Sequence, residues 1–249
     1  MSRDTGVVRA VSLAELIRLE QPCVVLTGAG VSTESGIPDF RSASGIWAQY
    51  DPYEVASIEA FHRSPERVWE FYAHRLDVLA DAAPNPAHVA LAELESRGLV
   101  QAVITQNVDR LHAAAGSRDV IEVHGSIGSA VCLGCGRREE QVRELLPLPR
   151  CAGCGAVLKP GVVMFGELLP VDAIERATAL AQNAELLLVV GTSLEVWPVA
   201  GLPDETLVHG GKLAIVNRDP TPYDARASLV IHAAAGETLA ACVTSTSSS

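Results

Sequence analysis

The sequence lacks any long hydrophobic run, which excludes an integral membrane protein. Its longest apolar stretches lie within residues 184–190 and 162–165, far short of the about 20 residues that a helix needs to cross a bilayer. Residues 1–12 also lack the continuous apolar segment of a secretory signal. We therefore expect a cytoplasmic protein without a membrane partner.

The sequence is also poor in positive charge. It has 19 Lys and Arg against 30 Asp and Glu, which gives a formal net charge of −11. Such a field repels a polyphosphate backbone at long range. We therefore expect no nucleic-acid partner.

Disulfides are not expected, because cysteines in a cytoplasmic protein more often bind metal or fill small buried spaces. Four of the six cysteines form two Cys-x-x-Cys pairs, Cys132 with Cys135 and Cys151 with Cys154. A two-residue spacer lets two thiolates reach one ion, and the second pair completes a tetrahedral set. We predict one structural zinc site, with two unrelated pairs of thiols as the alternative.

Length and composition predict one large domain, or one domain with a smaller lobe. A chain of this size buries roughly 70–75% of its unfolded surface. The 48% of hydrophobic residues supply a core, so disorder is excluded for the bulk of the 249 residues. Only the polar end, residues 244–249, is expected to be disordered.

Short apolar runs have the continuous hydrophobicity of buried parallel strands. Helix signals alternate with them: Pro65 and Pro86 each follow a capping residue, and helices are also predicted over residues 107–116 and 172–182. This alternation predicts an α/β fold with a doubly wound, Rossmann-like parallel sheet. The predicted strands are residues 23–27, 100–105, 120–123, 186–190, 213–216 and 229–231.

The alternation breaks at residues 39–83 and at residues 129–161, which carry the paired cysteines. The alternation of strands and helices resumes after each interruption, so we expect the two segments to pack together as a small zinc-binding lobe. The large lobe would then comprise residues 10–38, 84–128 and 162–243.

The first predicted strand runs into a glycine turn, GAGVS at residues 28–32. Backbone N–H groups at such a turn can meet a pyrophosphate. Thr33 stands at the third glycine position of the dinucleotide motif, which disfavours an ordinary dehydrogenase. A tight strand-to-helix turn without a ligand is the alternative.

Polar residues follow the other predicted strands at the edge where an open α/β sheet binds its ligand. The alternative is that loops are polar in any protein, which explains the polarity of these residues. It does not explain why one histidine lies among amide donors and turns that suit phosphate. These residues are Gln106, Asn107, Asp109, His124, Gly191, Thr192, Ser193 and Asn217.

Long motifs in one order resemble the sirtuins. They are GAGVSTESGIPDFR, TQNVDRLH, HG at residues 124–125, the four cysteines, VVMFGE and GTSLEV, and the resemblance extends over roughly residues 12–240. Sirtuins are NAD-dependent protein-lysine deacylases. The resemblance therefore implies one catalytic domain over residues 1–249, NAD as co-substrate, one structural zinc, and proteins carrying acylated lysine as partners.

The resemblance also implies roles for the matched residues. Gln106 would hold the nicotinamide ribose, Asn107 would line the carboxamide pocket, and His124 would be the general base. A core histidine satisfied by a carbonyl is the alternative for His124, and no chemistry is assigned to His88 or His112. The expected NAD-binding residues are Gly28, Ala29, Gly30, Ser32, Asp39, Phe40, Arg41, Gln106, Asn107, Asp109, Gly191, Thr192, Ser193, Asn217 and Ala235. The expected acyl-lysine residues are Val163, Phe165, Gly166, Glu167, Leu194 and Val196, between which the peptide would add as a strand.

The implied reaction releases nicotinamide and passes the acyl group to the ribose, giving free lysine and O-acyl-ADP-ribose. A base must assist a ribose hydroxyl, and a histidine with a pKa near 6.5 accepts a proton at neutral pH. A closing loop such as residues 42–45, rich in Ser, Ala and Gly, would keep water out.

Two residues bear on which acyl group is removed. Tyr72 and Arg75 are three positions apart, so they share one face of the predicted helix, and together they suit a carboxylate. They resemble the Tyr-x-x-Arg pair of sirtuins that remove succinyl and malonyl groups, and Ala43 matches the small residue that widens the pocket. An ordinary amphipathic helix is the alternative, and Asp39 is more typical of other branches.

The sequence therefore predicts a desuccinylase and demalonylase with some deacetylase activity. Three alternatives stay open: a plain NAD-dependent deacetylase, a protein ADP-ribosyltransferase, and a non-catalytic NAD-sensing module.

Overall fold

The structure is a computed structural model that describes residues 13–140 and 148–246. Parts of three predicted segments lie outside the described residues: residues 10–12 of the large lobe, 141–147 of the zinc module and 247–249 of the tail. Within the described ranges, no helix combines the length and hydrophobicity that a membrane span requires. The cytoplasmic location stays a prediction.

Nine strands and nine helices are found within the described residues. The strands are β1 Cys23–Thr27, β2 Ala102–Thr105, β3 Val120–Glu122, β4 Gly125–Val131, β5 Arg138–Glu140, β6 Lys159–Val162, β7 Leu186–Val190, β8 Lys212–Val216 and β9 Leu229–Ile231. The helices are α1 at residues 13–19, α2 Pro52–Val55, α3 Ile58–Arg63, α4 Pro65–Ala80, α5 Pro86–Ser96, α6 Leu111–Ala114, α7 Val171–Asn183, α8 Leu202–Val208 and α9 Ala235–Thr246.

The predicted α/β fold is confirmed by a six-stranded sheet in the order β3-β2-β1-β7-β8-β9. Every neighbouring pair in it is parallel. The chain builds outward from β1 on one side, then returns to start again with β7 on the other. The crevice beyond the carboxyl ends of β1 and β7 is therefore the topological switch point, where such sheets bind ligands.

Both faces of this sheet are covered, which explains the continuous hydrophobicity of its strands. Alternate residues of one strand enter different cores: Leu188 packs with α1, α5 and α9, whereas Leu187 packs with α7 and α8. Each of these leucines is 0% exposed, and burying one such side chain contributes about 1.5–3 kcal/mol.

The two interruptions of the alternation share a third core. β4 pairs with β5 and with β6 in a small antiparallel sheet, and its apolar residues pack with those of α2, α3 and α4. Trp69 of α4, which is 1% exposed, ties the two segments together by donating from Nε1 to the Leu158 carbonyl at 2.8 Å. The predicted lobe boundary between residues 128 and 129 falls inside β4.

Two predicted segments differ from the structure. The helix expected over residues 107–116 is only α6, because Arg110 has a left-handed φ of 64° and the Asp109 carboxylate accepts from the Leu111 N–H. In the tail expected to be disordered, residues 244–246 form the last turn of α9. Arg97 holds this turn by donating to the Val243 carbonyl and to Thr246 Oγ1.

Candidate active site

The glycine turn after β1 lies directly against the turn after β7. Gly30 donates its N–H to the Gly191 carbonyl at 2.8 Å. A Cβ on Gly28 would lie 2.6 Å from Thr192 Cβ, and a Cβ on Gly30 would lie 2.8 Å from the Gly191 oxygen. The two turns can therefore meet only without side chains, which leaves their backbone accessible to a pyrophosphate at the switch point.

Three of the predicted NAD-binding residues form one hydrogen-bonded group. Ser32 Oγ donates to Asp109 Oδ2 at 2.7 Å and accepts from Asn107 Nδ2 at 3.0 Å. Ser32 is 1% exposed and Asn107 is 7% exposed. The loop that follows β2 is thus locked to the 3-10 helix Ala29–Ser35.

The imidazole of His124, just beyond β3, is oriented by the backbone. Its Nδ1 lies 3.0 Å from the Gln106 carbonyl, which can only accept, so Nδ1 carries the proton and Nε2 is free to accept one. Burial lowers the pKa of His124, and nearby Arg41 lowers it further, against the Gln106 hydrogen bond that raises it. His124 is therefore neutral at pH 7, as a general base must be.

The Gln106 side chain spans the two halves of the sheet. Its Nε2 donates to Thr192 Oγ1 at 3.0 Å, and Thr192 Oγ1 also accepts from the Leu194 N–H at 3.2 Å. Leu194 is buried and has a left-handed φ of 56°. The turn after β7 is thereby held beside the loop after β2, whose Gln106 carbonyl orients the histidine.

A cavity of about 300 Å³ opens beside His124. An aromatic cluster forms part of its wall: the Phe40 and Trp47 ring centroids are 5.1 Å apart, and Trp47 also stacks on Phe71 at 6.2 Å. The cavity brings together these predicted site residues: Phe40, Arg41, Tyr72, Arg75, Gln106, His124, Val163, Phe165, Gly166, Glu167 and Val196.

The remaining predicted residues lie elsewhere around the crevice. Asp39 shapes its own loop, where Oδ1 accepts from the N–H groups of Arg41 and Ser42 at 3.0 and 2.8 Å. Asn217 Nδ2 donates to the Asp219 carbonyl at 2.8 Å. Ala43 and Ser193 are exposed and Ala235 is buried at the start of α9, and none of these residues lines the cavity.

The four paired cysteines converge in the small lobe. Their Sγ atoms all lie within 4.8 Å of one another, close to the about 3.8 Å that zinc–sulfur bonds of about 2.3 Å require in a tetrahedron. Each pair ends in a glycine with a φ of 74°, Gly136 or Gly155, which donates its N–H to the carbonyl of the first cysteine. The two Cys-x-x-Cys turns therefore have the same backbone construction, and together they supply all four thiolates that a tetrahedral zinc ion needs.

Comparison with known proteins identifies the family, since the signature of the Sir2 family matches residues 28–198. The chain belongs to the Sir2 family. It is 45% identical to an NAD-dependent protein deacetylase of Caldivirga maquilingensis, over 91% of this chain and 89% of that protein. It is 47% identical to an NAD-dependent protein deacylase of Thermococcus kodakarensis, over 91% of each. A solved Sir2–p53 peptide–NAD+ complex is 41% identical with a TM-score of 0.83, over 92% of this chain and 94% of that one.

Membership of the Sir2 family confirms the predicted enzyme class and cofactors. The protein is an NAD-dependent protein deacylase. NAD is its co-substrate. The close contact of Gly28 and Gly30 with the turn after β7, which leaves no room for side chains, fits this cofactor. The four-cysteine cluster fits one structural zinc.

Two histidines of this sirtuin were not anticipated as neighbours of the site. His88 is 0% exposed and lies 3.4 Å from Ser32 Oγ through its Nε2. His112 Nε2 lies 3.0 Å from Thr27 Oγ1, and the two imidazole centroids are 4.8 Å apart. The only signal for His88 was its place three residues after Asn85, where its Nδ1 accepts the Asn85 N–H of a capping box.

The buried histidine pair makes acid pH destabilising. Burial, reinforced by His88, lowers the pKa of His112 to about 3, and its Nδ1 has no partner within the described ranges. The unfolded chain therefore binds more protons below pH 6.5, so stability is lost as the pH falls from about 6.5 toward about 3. Between pH 7 and pH 5 we expect His112 alone to lower the free energy of unfolding by about 2 kcal/mol.

Urea unfolding at a series of pH values tests this expectation. His112→Asn should flatten the dependence between pH 7 and pH 5, whatever its effect on stability at pH 7. The matched control His62→Gln changes an exposed histidine and should keep the wild-type slope. A His112→Asn slope equal to that of the wild type would contradict the assignment.

Proposed function

We propose that this sirtuin removes succinyl and malonyl groups from lysine side chains of proteins and also retains some deacetylase activity. The observation that supports this proposal is that Tyr72 and Arg75 line the same cavity as His124. A carboxylate at the far end of an acyl chain would meet these two side chains while the acylated lysine lies beside the histidine.

Arg75 is placed to receive an anion. Its guanidinium lies 4.9 Å from the centre of the Phe40 ring and has neither a hydrogen bond nor a salt bridge to any other described residue. Burial lowers the pKa of Arg75, although Tyr72 and Asp109 oppose this, and a guanidinium stays charged in proteins. A half-buried cation without a counter-ion is costly, and a ligand carboxylate would offset that cost through paired N–H donors.

Tyr72 would supply a second donor to the same cavity. The residue is 6% exposed, and its hydroxyl makes no hydrogen bond within the part of the chain that the structure describes. Burial is the main cause that raises the pKa of Tyr72, and Glu167 raises it while Arg75 lowers it. The phenol therefore keeps its proton at neutral pH and can donate it to a carboxylate.

The remaining residues of the site perform the parts of the reaction that any acyl group needs. Bound NAD supplies the ribose carbon that accepts the acyl oxygen. His124 Nε2 takes a proton from a ribose hydroxyl, and the Gln106 carbonyl fixes the imidazole orientation that this transfer requires. Ser32, Asn107 and Asp109 hold one another beside the glycine turn, where the cofactor would be oriented.

Exchange of Arg75 tests the proposal directly. Arg75→Met should lower kcat/KM on a succinyl-lysine peptide by roughly 10–100-fold, because a charge-assisted hydrogen bond contributes about 1.5–3 kcal/mol. On the acetyl-lysine version of the same peptide, kcat/KM should change by no more than roughly threefold, because an uncharged acyl group forms no ion pair with Arg75. Products are measured by mass spectrometry, which separates O-acyl-ADP-ribose from ADP-ribosylated protein.

Arg67→Met is the matched control. Arg67 lies on the same helix, α4, but it is exposed and pairs with Glu54 at 2.9 Å. This variant should turn over both peptides like the wild type. An equal loss on both peptides in Arg75→Met would leave a plain deacetylase as the better description.

A further inference from the structure

A buried lysine lies behind the wall of the cavity beside His124, which we call the acyl cavity. Lys159, the first residue of β6, is 4% exposed. Its ammonium donates to the Pro160 carbonyl at 2.9 Å and to the Val162 carbonyl at 2.7 Å, and it pairs with Glu167 Oε2 at 3.0 Å. An ammonium has three donors, so these three acceptors satisfy it completely.

The partner of this lysine is itself part of the cavity. Glu167 lines the same space as Tyr72 and Arg75, and its Oε2 also accepts from the Met164 N–H at 2.8 Å. The carboxylate therefore closes the turn that carries Phe165 and Gly166. It also places a negative charge in a wall where the proposed substrate brings a second one.

Without the charge of Lys159, the charges of Arg75 and Glu167 would cancel at the cavity, and with it one positive charge remains. Arg41 lies 3.7 Å from Glu195, whereas Arg75 forms no salt bridge with any residue that the structure describes. If Lys159 were neutral, Glu167 would offset the attraction of Arg75 for an acidic acyl group, because like charges in one cavity repel each other more strongly than in bulk water. With Lys159 charged, Arg75 has its positive charge available for the ligand.

We propose that Lys159 is a specificity-determining positioning residue: by neutralising Glu167 it keeps the acyl cavity receptive to negatively charged acyl groups. This inference rests on the proposed function and names the residue that makes such a substrate compatible with the Glu167 carboxylate. The lysine acts through Glu167 and does not itself line the cavity.

A purely structural role for the ion pair would predict something different. A brace that holds the turn at residues 164–167 supports every acyl-lysine equally, because all acyl groups share the cavity next to His124. Charge neutralisation discriminates between substrates, since only an acidic acyl group experiences the field of Glu167. The ratio of kcat/KM on succinyl-lysine to kcat/KM on acetyl-lysine therefore separates the two roles.

The experiment compares five variants on one peptide that carries either succinyl-lysine or acetyl-lysine. Lys159→Met should lower the succinyl-to-acetyl ratio roughly tenfold through the succinyl KM, the scale of one unit-charge interaction across about 10 Å near a protein surface. Lys159→Arg, which keeps the charge, should keep the wild-type ratio. Glu167→Gln should raise the ratio, and the Lys159→Met/Glu167→Gln double variant should restore it to within about threefold of wild type, because no unpaired carboxylate is left. Lys212→Met, which removes a surface lysine paired with Glu20, should change nothing.

The outcomes are distinguishable. If the wild type turns over no succinyl or malonyl peptide, the proposed function fails and this inference fails with it. If the wild type desuccinylates but Lys159→Met leaves the succinyl-to-acetyl ratio unchanged, the proposed function stands and only the role of Lys159 is overturned. If Lys159→Met does not fold, Glu167→Gln alone decides, because an unchanged or lower ratio contradicts the proposal.

Discussion

His124→Ala is expected to lower the rate of deacylation by roughly 10²–10⁴-fold, the usual contribution of a positioned general base. The Gln106 carbonyl fixes which nitrogen of the imidazole carries the proton, and burial lowers the pKa of the ring, so that it stays neutral. Among the described side chains that line the cavity, an arginine guanidinium has no acceptor for this proton, the Tyr72 phenol keeps its own proton, and Glu167 is paired with Lys159. The measurement is the rate of O-acyl-ADP-ribose formation at saturating NAD and peptide.

A matched histidine separates lost chemistry from lost fold. His209 is exposed, and its Nδ1 contacts the Glu205 carbonyl one turn earlier in α8. His209→Ala should keep the wild-type rate, and both variants should unfold at the wild-type temperature to within a few degrees. If His124→Ala retained more than about a tenth of the activity, where a general base contributes at least about 100-fold, the base would have to be another group.

The strands of the large sheet were predictable because both faces of that sheet are covered. A strand that buries every side chain, as β7 does with Leu186–Val190, must be apolar throughout, and this requirement is visible in a single short segment. All six predicted strands of the large sheet occur within two residues of their expected bounds. The zinc site was predictable for a similar reason, since two residues of spacing are enough to bring two thiolates to one ion.

The contacts that tune the site were not predictable, because they join residues far apart in sequence. Ser32 meets Asn107 and Asp109 across 75 and 77 positions, and no local pattern marks such a meeting. His112 lies in a recognisable motif, but its burial against Thr27 depends on the pairing of β1 with β2. Nothing in the sequence distinguishes Lys159 from an ordinary surface lysine, and only the fold of the small lobe shows it to be buried.

The short α6 illustrates a local signal overridden by the site. Helix propensity runs through residues 107–116, yet the side chains of Asn107 and Asp109 hydrogen-bond to Ser32 and to the Leu111 N–H instead. The left-handed Arg110 then sets the start of the helix at Leu111. Local preference gives way where the same residues are needed at the crevice.

Loss of the zinc ligands is expected to have the largest effect on stability. Cys151→Ser should lose the metal and unfold the small lobe, because structural zinc contributes about 10–16 kcal/mol to the folding of zinc-finger peptides, as much as the whole stability of many domains. Cys132 and Cys151 are buried in the third core together with Trp69 and Leu158, so the collapse should reach α4 and the acyl cavity. Zinc content by elemental analysis and protease resistance of the purified variant measure both effects.

Cys242→Ala provides the control, since it removes a buried cysteine of α9 that lies apart from the cluster. This variant should keep one zinc per chain and its activity, at a small cost in stability. Because four thiolates fill the coordination shell and leave no position for a reacting water, a chelator should inactivate the wild type only as fast as it unfolds the protein. Loss of turnover in a chelator-treated enzyme that keeps its protease resistance and thermal transition would instead make the metal a participant in catalysis.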